Sequence, residues 1–279
     1  MKRLLATTAL LAVLTTPVMA DVTIGGDMEW SYQDNDGTTS TAMDGDINFV
    51  AKTTTDTGLT FGADINLDHT GADDGGNSIT IANDGFKLDL GDVNSALDAI
   101  DDTTDFTYVL GNGSPSTDHS AILSLTPIDG LTVNISNATG NDYGTTAGEG
   151  YAYSGTYAIG EIATVGAGQM KNADDSEELL MNVKGSMGPL GVAFEKHTAT
   201  TTADVDTDTT TMGATYTIDA LKVGVELMET QSAGTISSDE ITLGAQYTVA
   251  PGLVAFAEMT EDDKTSSEKT TAFGISVKF

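Results

Sequence analysis

Apolar and polar residues alternate along most of this chain. From Ile47 the odd positions Ile47, Phe49 and Ala51 are apolar, and beyond a break at Thr57-Gly58 the series resumes with Leu59, Phe61, Ala63, Ile65 and Leu67. The residues between them, Asn48, Lys52, Thr60, Gly62, Asp64 and Asn66, are small or polar. The same period of two recurs at Leu131-Val133-Ile135, Leu190-Val192-Phe194, Met212-Ala214-Tyr216-Ile218, Leu221-Val223-Val225-Leu227, Ile241-Leu243-Ala245-Tyr247 and Phe273-Ile275-Val277-Phe279. Successive side chains of a strand point to opposite faces, so each segment predicts a strand with one apolar and one polar face. Helix is disfavoured: Gly, Thr and Asp are frequent, and beyond the N-terminus no long segment keeps a 3.6-residue apolar period.

That N-terminus is a separate object. Lys2 and Arg3 precede the apolar run Leu4 to Leu14, and Val18-Met19-Ala20 sets small or aliphatic residues before a cleavage point. The pattern predicts a secretory signal over 1–20 and a single domain over 21–279. The run is too short for a transmembrane helix, which needs about 20 apolar residues.

Two kinds of connection separate the strands. Short turns are expected at Asp56 to Gly58, Asn83 to Gly85, Pro127 to Gly130, Ile159-Gly160, Gly188-Pro189, Asp219-Ala220 and Pro251-Gly252. Between them lie longer polar stretches at Gln33 to Gly45, Asp68 to Asn77, Gly91 to His119, Asn137 to Glu149, Lys171 to Glu177, His197 to Thr209, Thr230 to Ser238 and Glu261 to Lys269. Seven short turns and eight long loops make sixteen strands. An even count, with short turns at one end and long loops at the other, is the pattern of an all-β fold, the transmembrane antiparallel β-barrel of the outer membrane. Closure follows because every backbone group within a bilayer needs a partner and open edges aggregate. A sixteen-stranded barrel is too wide for side chains to fill, so its interior holds water.

Charge narrows the partners. The 279 residues carry 42 acids against 11 Lys and Arg, a formal charge of -31, and no cysteine. Such a polyanion repels nucleic acid, and zinc-thiolate and disulfide chemistry are unavailable. Catalysis has no constellation either: His69, His119 and His197 are scattered in or beside long loops, with no positioned nucleophile.

With the apolar register of each strand facing lipid, Lys52, Lys87, Lys184, Lys222 and Lys278 point inward, near short turns or the C-terminus. Asp27, Glu29, Asp64, Asp89, Glu195, Glu226 and Glu258 share that inner register. Further acids, Asp92, Asp98, Asp101, Asp102 and Asp105, concentrate in the third long connection. Within it, Val93 to Ile100 predicts a short helix capped by Asn94 or Ser95. Phe106, Tyr108 and Leu110 alternate like a strand; the even count assigns 104–110 to the loop. The pairs Asp73-Asp74, Asp101-Asp102, Asp174-Asp175 and Asp262-Asp263 could bind calcium loosely, without the spacing of a calcium-binding hand; solvated or lipopolysaccharide-bridging loops are the default. No other cofactor is indicated. Trp30, Tyr32, Tyr151, Tyr153, Tyr157 and Tyr247 fit an interfacial aromatic belt.

On these residues the chain resembles the general diffusion porins of alphaproteobacteria, of the Rhodobacter type. Asp21-Val22-Thr23-Ile24-Gly25-Gly26 looks like the family's first strand, and Asp46 to Asp64 is similar to its second hairpin. Phe86 to Ala96 resembles the strand entering the constriction loop, and Ala272 to Phe279 ends on a terminal aromatic like the signal read by the barrel assembly machinery. The resemblance implies that the third loop, about 91–119, folds into the lumen and that three subunits associate. The run Gly166-Ala167-Gly168 would let walls approach closely. It also implies a passive, water-filled channel for ions and small hydrophilic solutes, in contact with outer-membrane lipid and lipopolysaccharide. The chain departs from the family at one point: no arginine follows Arg3, so the usual arginines facing loop acids are missing. The remaining acids predict preference for cations. A non-conducting structural or adhesin-like barrel, or a secreted acidic calcium-binding β-protein, are the alternatives.

Overall fold

A computed structural model describes residues 20–68, 77–101, 119–139, 149–172, 174–263 and 269–279. Sixteen strands follow one another: β1 (Asp21–Asn35), β2 (Thr38–Thr54), β3 (Thr60–Asp68), β4 (Ser78–Asn83), β5 (Phe86–Val93), β6 (His119–Ile128), β7 (Leu131–Thr139) and β8 (Glu149–Ile159). The second half runs β9 (Ala163–Lys171), β10 (Glu177–Met187), β11 (Leu190–Thr200), β12 (Asp206–Ile218), β13 (Leu221–Ser232), β14 (Thr235–Ala250), β15 (Leu253–Asp262) and β16 (Lys269–Lys278). Each pairs with its chain neighbours, and β1 pairs with β16, so the sheet is a closed barrel. The seam is antiparallel from Asp27 opposite Lys278 to Asn35 opposite Thr270. It is extended by Gly26 and Phe279, each donating its N–H to the other's carbonyl, at 3.0 and 2.9 Å.

The alternation acquires its meaning from this closure. Ile24, Ile47, Ile65, Ile135, Val192, Leu243 and Ile275 all stand exposed on the outside. An apolar surface of that extent belongs against lipid. Trp30, Tyr151, Tyr153, Tyr157 and Tyr247 share the outer face, and Tyr32 stacks on Phe273 with ring centroids 4.9 Å apart. Their placement fits the expected belt. Among the described residues no helix is long and apolar enough to cross a membrane; the strands cross it.

The strand count stands, with β5 directly beside β6. The segment 104–110 lies outside the described residues, as does the signal segment apart from Ala20. Two of the described loops, however, are much shorter than the polar stretches predict. Gln33 to Gly45 is mostly strand, turned by Asp36-Gly37 alone, and Thr230 to Ser238 is turned by Ala233-Gly234. In both turns the two central residues have positive φ, 48° and 86° in the first, 48° and 74° in the second. That is the backbone of the tightest hairpins, and Asp-Gly is among its preferred pairs. These strand ends carry Thr, Ser and Asp on both faces, so no lipid-facing series marks them as strand.

Candidate functional site: the barrel lumen

The third connection begins inside the barrel. Ser95 accepts a hydrogen bond from the Asp98 N–H at 3.0 Å, and a single helical turn of the 3-10 type covers Asp98–Ile100. The predicted short helix is therefore one turn whose N-cap is Leu97, without a side-chain cap, rather than Asn94 or Ser95; the Ser95 hydroxyl holds it from the preceding residues. Ala96, Leu97 and Ile100 are buried against Ile122, Ala152, Met170 and Leu180. Those wall residues face inward, since their chain neighbours Tyr151, Tyr153, Leu179 and Met181 stand exposed on the outer face. Leu97 is fully buried, worth about 1.5–3 kcal/mol.

Polar groups fix the same segment. The Ala96 N–H donates to the Ser136 hydroxyl at 2.7 Å, and the Asn182 amide donates to the Ile100 carbonyl. Glycine makes the room. A Cβ on Gly168 would lie 2.9 Å from the Leu97 Cδ1 and 2.8 Å from the Ser154 Cβ; one on Gly166 would lie 2.4 Å from the Asn182 Oδ1. Gly166 and Gly168 thus face the lumen beneath this segment. The expectation that Gly166-Ala167-Gly168 lets neighbouring walls approach is corrected, because only Ala167 of the three faces outward.

Around the rest of the wall the inner register is charged. Asp27 and Glu29 lie on β1, Lys52 on β2, Asp64 on β3, Lys87 and Asp89 on β5, Lys184 on β10 and Glu195 on β11. Lys222 and Glu226 share β13, Glu258 is on β15 and Lys278 on β16. Lys52, Asp64, Lys87 and Asp89 border one cavity of about 670 Å³, and Lys184 and Lys222 another of about 390 Å³. Lys87 pairs with Asp89 at 2.9 Å, and the Thr80 hydroxyl donates to Asp89 at 2.5 Å. Glu195, Glu226 and Glu258 are 3–5% exposed. The five lysines gather at the short-turn end, as the sequence predicts.

The loop acids separate. Asp92 belongs to the end of β5, its N–H donating to the Asn77 carbonyl at 2.9 Å, rather than to the loop proper. Asp98 sits on the helical turn and Asp101 follows it; Asp102 and Asp105 lie outside the described residues. Several inward acids were missed, Asp68, Glu178 and Glu240 as well as two on β2. Asp44 and Asp46, paired across the ladder with Glu29 and Asp27, fall where a long loop was expected to run or to end. The Asp36-Gly37 pair was the available signal.

Higher in the lumen His197 lies 3.0 Å from Glu178, and the Asn172 amide donates to the same carboxylate. The candidate calcium pairs that are described have local partners. Asp174 accepts from the Ser176 hydroxyl at 2.7 Å and its N–H at 3.0 Å, which holds its carboxyl below the usual carboxylate range. Asp175 pairs with Lys171 at 3.0 Å, and Asp262 accepts from Ser238. Among the described residues no group of three or more His, Cys, Asp or Glu could hold a metal ion.

A closed barrel with an apolar outside, a polar inside and one connection seated on its inner wall defines a membrane-spanning aqueous tube. The family model for Gram-negative porins matches residues 6–277, and the chain belongs to that family, non-enzymatic channel proteins of the bacterial outer membrane. Comparison with curated protein sequences returns no match. Among solved structures, a porin refined at 1.8 Å is 19% identical with a TM-score of 0.74, the match covering 93% of this chain and 100% of that one. A loop-deletion mutant of OmpT, an outer membrane protein of Vibrio cholerae, is 16% identical with a TM-score of 0.76, covering 93% and 99%. A triple mutant of the Rhodopseudomonas blastica porin is 16% identical with a TM-score of 0.72, covering 93% and 100%.

Proposed function

We propose that this porin is a homotrimeric, passive channel for ions and small hydrophilic solutes, and that it prefers cations. The observation that carries the preference is the sign of the charge on both sides of the lumen. Asp98 and Asp101 ride on the connection seated against one wall, and Glu195, Glu226, Glu258 and Glu29 stand on the inner register of β11, β13, β15 and β1, the first three of them buried. The inner lysines are held toward the short-turn end. A pair of charges 4 Å apart in water interacts by only about 1 kcal/mol, but carboxylates converging on one passage add their fields. Permeation then needs no tight binding, only a hydrated path and a charge filter.

Replacing Asp98, Asp101 and Asp102 by Asn lowers the cation-to-anion permeability ratio, most at low salt, read as reversal potential in a salt gradient across a planar bilayer. Anion preference in the unmodified protein overturns the reading. The trimer is tested by light scattering in mild detergent, where a monomeric mass contradicts it. Lipopolysaccharide contacts at the loop end, recognition of Phe279 by the barrel assembly machinery and loosely held calcium at the acidic loops belong to the same proposal.

A further inference from the structure

We infer that the cavity on the inner wall between β2 and β5 is a transit site for small zwitterions, free α-amino acids in chemical class, with Lys52 taking the carboxylate and Asp64 the ammonium group. The inference rests on the channel reading above and adds a solute to it.

The cavity lies at the short-turn end, and its floor is cut low. Across the ladders Lys52 stands opposite Gly62, Gly62 opposite Thr80 and Thr80 opposite Asp89. Gly62 has no side chain and Thr80 a short one, so a trough two strands wide runs between the lysine on β2 and the carboxylate on β5. Thr60 and Ala82, facing each other one step nearer the turns, continue it. Val93 and Ile122 add apolar surface on the far side, Val93 resting on the seat of the third connection. The space, about 670 Å³, is ample for a solute of a few carbons.

The charges around it are unequally matched. Lys87 and Asp89 satisfy each other at 2.9 Å, and the Thr80 hydroxyl donates to the same carboxylate. Lys52 is exposed to the lumen and, among the described residues, its side chain makes no ion pair or hydrogen bond. Asp64 is half-buried and borders the cavity, yet its Oδ1 is out of water's reach with no donor. The two are diagonal neighbours on the β2–β3 ladder, Asp64 standing two residues beyond the glycine that faces Lys52. Their Cα atoms are therefore about 7–8 Å apart on one face. A free cation and an under-donated carboxylate at that spacing leave a gap for a molecule that carries both charges.

Chemistry selects the occupant. A simple anion at Lys52 meets the Asp64 carboxylate beside it, and a simple cation at Asp64 meets the Lys52 ammonium, so each gains one attraction and suffers one repulsion. A neutral polyol brings no charge of its own to either group. An α-amino acid carries carboxylate and ammonium on one carbon, satisfies both groups at once through charge-assisted hydrogen bonds and adds no net charge to the lumen. Passage requires that such a site be favourable enough to enter and weak enough to leave.

The test is the ion current of the intact protein in planar bilayers as L-alanine is added to both chambers at fixed KCl. A transit site gives a block that saturates with concentration, whereas glycerol lowers the current only in proportion to viscosity. Lys52→Gln and Asp64→Asn each raise the half-blocking concentration about tenfold in channels that still conduct. Acetate and methylammonium, each alone, block at least about tenfold less well than alanine. Removing one charge then unmasks the other: Lys52→Gln strengthens block by methylammonium and Asp64→Asn strengthens block by acetate, a reciprocity that a merely structural effect would not give. A current that falls with alanine as it does with glycerol overturns the inference and leaves the channel reading intact. Saturable block that neither substitution weakens, acetate or methylammonium blocking as well as alanine, or substitutions without the reciprocity also overturn it. A protein that passes no current fails the channel reading and this inference together.

Discussion

The inner faces of two arcs of the same barrel differ in kind. From β6 to β9 the described inward residues include Ile122, Asn134, Ser136, Ala152, Ser154, Gly166, Gly168 and Met170, with no Asp, Glu or Lys among them. Across the lumen, β10 to β16 and β1 to β5 carry the inward acids and lysines. The third connection rests on the neutral arc and on its neighbour β10, through Leu180 and Asn182. A wall that must hold a loop needs small, complementary and apolar positions, because a buried unpaired charge is costly. The charged arc buries acids too, Asp89, Glu195, Glu226 and Glu258 among them, and there each charge is tolerated because it has a partner. The same alternating strand serves both purposes, and only the inward register decides which.

The neutral arc is the easier to break. Gly168→Leu would drive a branched side chain into Leu97 and Ser154, which the fixed ladder cannot absorb. We expect the connection to leave its seat and the single-channel conductance to rise about twofold, with uptake of larger solutes in vesicle swelling. A variant with unchanged conductance would show that the seat does not set the passage. Leu97→Ala is the milder form, costing about 2–3 kcal/mol of docking, and should appear as conductance fluctuating between two levels.

On the charged arc, Glu29→Gln with Glu258→Gln should change permeability ratios by less than the loop substitutions, leaving conductance at high salt nearly constant. Reversal potentials in a salt gradient measure this. Equal effects from both arcs would erase the division of labour between them.

Asn182→Ala, which removes the donor to the Ile100 carbonyl, should cost about 1 kcal/mol and add flicker without moving selectivity. Smallest is Gly37→Ala, at the two-residue turn where φ is 86°. It costs about 1 kcal/mol locally, read as a slight fall in the heat-modification midpoint on a gel, with conductance unchanged.

The charged arc was the more legible in sequence. Period-two alternation assigns each inward Lys, Asp and Glu wherever lipid enforces an apolar partner register, as at Lys222 and Glu226 between Val223, Val225 and Leu227. Where strands rise beyond the bilayer that enforcement stops. Thr38 to Gly45 therefore reads as loop, although Asp36-Gly37 closes it as a hairpin, and Asp44 was overlooked. The seat was illegible for another reason. Ser136, Gly168 and Asn182 come from three strands, β7, β9 and β10, and each is an ordinary strand residue until the ladder brings it under Leu97. The Gly166-Ala167-Gly168 run was noticed, but smallness alone does not say which face it serves.

The seam has a consequence for the birth of the molecule. Trp30 finds Ile275, and Gly26 finds Phe279, only across nearly the whole chain. Every other wall contact joins neighbours in sequence and can form as the chain is delivered. Until its last residues arrive, β1 presents an unclosed edge, the kind of edge on which sheets recruit strangers. Joining it to β16 carries the largest loop-closure entropy in the protein. The terminal aromatic therefore sits on the final stitch, and a chain shortened by even a few residues there would emerge as an open ribbon needing a chaperone rather than as a smaller pore.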